Sequence, residues 1–177
     1  MTATTAWVSD LAQQHLDAAY NLGRWLLGNE HDAADAVHDA YLRAARSAHT
    51  YAGGNARAWW LAIVRNACLA ALANRRRDAP RDGISADSIE NAATDRSIVE
   101  ASAQAAEHGR LIEWHLRLLP AEYREVLILR ELEDLSYREI ADVLAVPIGT
   151  VMSRLSRART QLQKALSASS EDDAHGL

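Results

Sequence analysis

The stretch SYREIADVLAVPIGTVMSRLSRA, residues 136–158, decides how this chain is read. Ser136 and Glu139 have the spacing of a capping box. In that motif the hydroxyl accepts the third helical N–H and the carboxylate reaches back to the cap N–H. Leu135, just before the cap, can staple onto Ile140. The expected helix spans Tyr137 to Leu144, with Ile140, Ala141 and Leu144 inward. Ala141 is small, as close packing of a second helix requires. Ala145-Val146 makes a turn, and Pro147 suits the first position of the next helix, where its missing N–H costs nothing. On that helix Ile148, Val151, Leu155, Ala158 and Leu162 share the inner face. Gly149, Ser153, Ser156, Arg157 and Thr160 share the outer one, flanked by Thr150, Met152 and Arg154. Two short helices, a tight turn and an Arg/Ser/Thr outer face describe a helix-turn-helix that can enter a DNA major groove. An ordinary helical hairpin with a polar face has the same pattern.

Working outward, Pro120 is placed to start a helix with Tyr123, Val126, Leu127 and Leu129 apolar. Before it, Leu111, Ile112, His115, Leu118 and Leu119 recur at helical spacing. Residues 82–107 are small, polar and acidic, carrying Arg96 against six acids, and read as a linker with some helix at its end. Upstream, three helices are expected. The first runs from about Thr5 to Leu27, with Val8, Leu11, Ala12, His15, Ala19, Leu22 and Leu26 at helical spacing and Gly28-Asn29 ending it. The second runs from about Asp32 to Ala48, with Asp32 and Asp35 in its first turns, where acids favour the helix dipole. After a loop at residues 51–55, the third runs from about Ala56 to Arg77 and buries Trp60, Leu61, Val64, Ala67, Cys68 and Ala71. The expected class is all-α. The expected layout is a helical domain over 5–79, a flexible acidic linker over 80–107, a helix-turn-helix domain over 108–168 and an acidic tail over 169–177.

The net charge of −5 on 177 residues argues against a uniformly basic nucleic-acid surface, but the charge is segregated. Residues 57–81 carry six Arg against Asp78, and 137–164 carry four Arg and Lys164 against two acids. The segments 82–107, 121–136 and 165–177 are acidic. Two basic stretches separated by an acidic one fit two nucleic-acid contacts. The lone Cys68 excludes an intramolecular disulfide and a cysteine zinc cluster and suggests a reducing, cytoplasmic setting. The amino-terminal residues lack the pattern of a signal peptide, and no apolar run approaches the ~20 residues that span a bilayer. His31, Asp35, His38 and Asp39 have spacings that could place metal ligands on one helix face. An exposed acidic face is the simpler reading, and neither a metal nor a cofactor is expected. Trp59, Asn66 and Ala70 share a face of the third helix, beside Gly53-Gly54 and Arg75-Arg76-Arg77. That group could stack on and hydrogen-bond an unpaired base.

The run Leu119-Pro120-Ala121-Glu122-Tyr123-Arg124-Glu125-Val126, followed by residues 135–141 and 147–159, resembles region 4 of extracytoplasmic-function sigma factors. The resemblance places Thr150, Met152, Ser153, Arg154 and Arg157 on a helix that reads the −35 promoter element. Met152 stands where Arg or Lys is usual, and Ala145 where Gly is common at the turn. Residues 32–44 resemble region 2.2 of the same family, which implies docking on the β′ clamp helices of core RNA polymerase through Asp35, His38, Asp39, Leu42 and Arg43. Residues 55–66 resemble regions 2.3 and 2.4, which implies −10 contacts by Asn55, Trp59, Arg65, Asn66, Arg75 and Arg76. Ala70 falls where Asp or Asn is frequent. The resemblance further implies promoter DNA, the polymerase β flap and an anti-sigma factor as partners, with the linker threading polymerase channels.

Two other readings remain. A stand-alone helix-turn-helix regulator would bind an operator as a dimer, and would need a dimerisation surface or ligand pocket that residues 1–80 do not suggest. A hydrolase would need a nucleophile, a phosphate loop or a full metal set, and none is evident, so no enzymatic activity is expected.

Overall fold

The computed structural model describes residues 3–78 and 103–175. Helices α1 (Ala3–Gln14), α2 (Leu16–Leu27), α3 (Glu30–Ser47) and α4 (Ala56–Asp78) form the first unit. Helices α5 (Ala103–Leu118), α6 (Ala121–Leu127), α7 (Tyr137–Leu144) and α8 (Ile148–His175) form the second. No strand occurs among the described residues, and none of their helices is long and apolar enough to cross a membrane. The acidic stretch expected to be a linker lies mostly outside the described residues. Its end, from Ala103, belongs to α5.

The single first helix expected from the sequence is two. His15 leaves the helical region (φ −120°, ψ 26°) and divides α1 from α2. The apolar period continues across it, so periodicity alone could not show the break. Gly28 ends α2 in the left-handed conformation, at φ 83°, where glycine carries no Cβ penalty. Asn29 then caps α3 by accepting the Asp32 N–H at 2.8 Å. Helices α2 and α3 approach closely at Gly23, where an added Cβ would lie 3.2 Å from that of Ala33. Trp60, Leu61, Val64, Ala67 and Cys68 of α4 are buried against this pair, as expected. The apolar setting pushes the Cys68 thiol up to about 12, so it behaves as a small core hydrophobe.

In the second unit Val126, Ile128, Leu129, Leu135, Ile140, Val151, Leu155 and Ala158 make the core. Between α6 and α7 the chain forms a π-helical turn, Ile128–Leu132, with no counterpart in the sequence reading. Ile148, expected inward, is not inward, and two members of the apolar period before Pro120 are also open to solvent. Ile112, Leu118 and Ile148 are exposed. Helix α8 also continues through residues 169–175, expected to be a tail.

Candidate nucleic-acid interface

The capping box forms as the spacing requires. The Ser136 N–H donates to Glu139 Oε2 at 2.6 Å, and the Glu139 N–H donates to Ser136 Oγ at 3.3 Å. These bonds favour the ionised carboxylate, so the Glu139 carboxyl titrates below its usual range, chiefly through the Ser136 N–H. Ala145 ends α7 in the left-handed conformation at φ 54°, the turn that sets α8 across α7. Leu135 and Ile140 are both buried, as a hydrophobic staple requires.

Helix α8 sorts its polar residues into two kinds. Arg154 turns inward, 3.4 Å from Glu122 of α6, and Arg159 lies 2.7 Å from Glu131. The hydroxyl hydrogens of Ser153 and Thr160 are given to the carbonyls of Thr150 and Ser156. Arg157 and Met152 are exposed, and Thr150 is half-buried. Of the five residues assigned to DNA here, Met152, Ser153 and Arg157 are exposed, and Ser153 gives its hydroxyl hydrogen to the Thr150 carbonyl.

The residues assigned to the −10 element are not together on an open surface. Arg65 donates from Nε and Nη2 to both oxygens of Glu125, at 3.2 and 3.1 Å. Glu125 lies in the second unit and is only 3% exposed. Arg57 reaches Glu133 at 3.2 Å, and Asn21 donates to the other oxygen of that carboxylate. Asn55 caps α4 through the Ala58 N–H and donates from its amide to Glu139 of α7. These four polar contacts clasp the two units together, three of them from α4 and its cap, the helix expected to face DNA, and one from Asn21 of α2. Trp59 is half-buried in a cluster with Trp7 and Tyr51, ring centroids 5.0 to 5.6 Å apart. Trp59 lines a hollow with Tyr51, Gly53, Gly54 and Asn55, to whose wall Asp142 of α7 also contributes. Asn66 and Arg76 are exposed, whereas Arg75 is turned back onto Asp32 and the Leu27 carbonyl.

Four of the five α3 residues expected to dock divide between two grooves. His38 lines a cavity of about 610 Å³ with Leu16, Tyr20, Val37, Tyr41 and Trp60. Asp35, Asp39 and Arg43 border a separate groove against Asn74 and Arg75 of α4. Asp39 holds Arg43 at 3.1 Å, Asp35 lies 3.6 Å from His31, and Leu42 is exposed. Sequence reading missed Glu125 and Glu133. The one signal was for Glu125, a carboxylate directly beside the apolar run at 126–129; Glu133, between Leu132 and Asp134, had none.

The family model described as Sigma-70 region 2 matches residues 11–78, and that described as Sigma-70, region 4 matches residues 116–162. The chain is 33% identical to the ECF RNA polymerase sigma factor SigE of Mycolicibacterium smegmatis over 97% of its own length, spanning 66% of that protein. It is 34% identical to the ECF RNA polymerase sigma-E factor of Escherichia coli, covering 72% of this chain and 70% of that one. Among solved structures it resembles the sigma factor RpoE of Bartonella quintana in complex with the anti-sigma factor NepR. That likeness has a TM-score of 0.67 at 27% identity, over 89% of this chain and 97% of the other. The chain therefore belongs to the extracytoplasmic-function sigma factors, the RNA polymerase subunits that direct promoter recognition.

Proposed function

We propose that the second unit reads the −35 element through α8 and that the first reads the −10 element through α4, while α3 docks on the β′ clamp helices. On this reading Thr150, Met152, Ser153, Arg154 and Arg157 line the −35 contact, with Arg157 foremost because its guanidinium is unshielded. Asn55, Trp59, Arg65, Asn66, Arg75 and Arg76 line the −10 contact. Asp35, His38, Asp39, Leu42 and Arg43 face the polymerase, and the β flap meets the second unit. The chain carries out no reaction of its own, works beside the polymerase in the cytoplasm, and is open to restraint by an anti-sigma protein.

The observation that carries this reading is the capped, left-handed turn that presents α8 with Arg157 outward. The clasp adds a condition. Arg65 and Asn55 are occupied by Glu125 and Glu139, so the units must part before these side chains can meet DNA. Run-off transcription with core polymerase, beside a mobility-shift assay of the chain alone, tests the whole. Transcription should require both chain and core, and the isolated chain should bind duplex promoter weakly, with a steep salt dependence for the contacts that form. Tight sequence-specific binding by the chain alone at physiological salt would instead favour the operator-binding regulator.

A further inference from the structure

Helix α8 begins with an apolar patch that the described residues leave about half exposed. Ile148 is 49% exposed and Met152 is 53% exposed. They lie four residues apart, so they are neighbours on one helix face. Between them Gly149 has open space around it, with no atom within 4 Å of where a Cβ would stand. The polar groups beside the patch are withdrawn. Ser153 gives its hydrogen to the Thr150 carbonyl, and Arg154 is drawn to Glu122. The first exposed cation along the helix is Arg157.

The first turns of a recognition helix are the ones that meet base edges, and apolar side chains there contact the thymine methyl. A protein partner could also cover two apolar side chains. The place of the patch on the first turns of α8 favours DNA, because that end of a recognition helix enters the groove, and the exposed Arg157 further along the helix supplies a cation for a phosphate.

We propose that Ile148 and Met152 read a thymine 5-methyl group in the major groove of the −35 element. The proposal rests on α8 being the −35-reading helix and adds the chemistry of its selectivity. The polar contact that a cation at position 152 would give to guanine is replaced by an apolar contact with an A·T pair.

The test uses the full chain assembled with core polymerase from its host. A −35 element is first selected from a randomised duplex library. Each thymine in it is then replaced singly by deoxyuridine, which removes the methyl and leaves every hydrogen-bonding group. One substitution should weaken holoenzyme binding roughly fourfold, the size of one lost methyl contact. Met152→Ala or Ile148→Ala should lower affinity for the thymine template and abolish that difference. Both side chains are exposed, so thermal unfolding should not move. A selected element with no A·T pair would overturn the proposal, as would deoxyuridine being neutral throughout. In those cases a loss of binding by Arg157→Ala, or on scrambling the element, leaves α8 as the −35 helix. If scrambling also has no effect, the −35 reading itself falls. Met152→Ala weakening core binding without any deoxyuridine effect would assign the patch to a protein contact and overturn the methyl reading.

Discussion

The start of α8 and the start of α4 are both assigned to promoter DNA, and they stand in opposite states. Helix α8 shows Ile148, Met152 and Arg157 to solvent. Helix α4 has Asn55, Arg57 and Arg65 engaged with Glu139, Glu133 and Glu125 of the other unit. On the proposed reading, one surface is open to duplex DNA as it stands. The other is covered by carboxylates, which occupy guanidinium groups much as phosphates would. Burying such a pair has a large desolvation penalty that offsets much of the Coulomb attraction. The clasp therefore fixes how the units meet without adding much net stability. The contrast suggests an order of events, with −35 contact possible in the closed form and −10 contact only after opening.

The largest effect is expected outside both faces. Asp39→Arg should abolish transcription by placing like charge against the polymerase, while thermal stability changes by no more than about 0.5 kcal/mol at this exposed site. If the variant still binds core polymerase as wild type does, α3 is not the docking helix and neither DNA face can be tested through transcription.

Breaking the clasp comes next. Glu125→Gln leaves Arg65 facing a neutral amide, and losing one partner of a buried pair costs about 3–5 kcal/mol. Because the units can separate to rehydrate Arg65, we expect the strain to open them. Small-angle scattering should show a larger radius of gyration, and a single-stranded oligonucleotide carrying the −10 element should bind more tightly. An unchanged radius with unchanged binding means that the clasp does not govern access to α4.

Arg157→Ala and Asn66→Ala should separate the faces directly. The first should cost about 1–3 kcal/mol with relaxed preference at one −35 position if it reads a base. If Arg157 touches phosphate alone, affinity should fall evenly and the salt slope should shrink by about one unit. The second should leave closed-complex formation intact and impair strand opening. A pre-melted −10 template should bypass the opening defect of Asn66→Ala and leave Arg157→Ala unrescued. Wild-type permanganate footprints from Asn66→Ala on both templates would remove the −10 assignment.

Acid should act on both faces through one group. The Glu139 carboxyl is held below its usual range by the Ser136 N–H and hydroxyl, with a smaller part from Asn55. A depressed carboxyl stabilises the fold above the ordinary carboxylate range, and that contribution is lost as pH falls through the lowered value. Hydrogen exchange across α7 should rise over that window, together with loosening of the Asn55 contact, and Glu139→Gln should flatten the response. If exchange rises in α7 with no change at Asn55, the cap and the clasp are independent.

The smallest expected effect concerns the turn that holds α8 in place. Ala145 takes a left-handed conformation that burdens a side-chain residue by roughly 1–2 kcal/mol. Ala145→Gly should raise the stability of the helix-turn-helix by about 1 kcal/mol, less some backbone entropy in the unfolded chain. A lower melting temperature would show that the Ala145 methyl packs usefully in the turn.

The sequence by itself determined the elements whose causes are local. The capping box at Ser136 and Glu139, the α4 stripe from Trp60 to Cys68 and the all-helical class follow from spacing and residue type over a few turns. So does the recognition of both family regions, because their motifs are contiguous. The tertiary structure decided what local pattern cannot encode. The break at His15 and the π turn at 128–132 leave the apolar period unchanged, so no count of apolar positions reveals them. Ile148 carries an apolar side chain on the inward face of the pattern, yet it stays half exposed. The charge blocks were visible as a basic 57–81 and an acidic 121–136. That they meet, Arg65 on Glu125 and Arg57 on Glu133, depends on how two units separated by an acidic stretch are placed. Long-range electrostatic pairing is set by that placement, because a chain position specifies a charge but not which distant charge will face it.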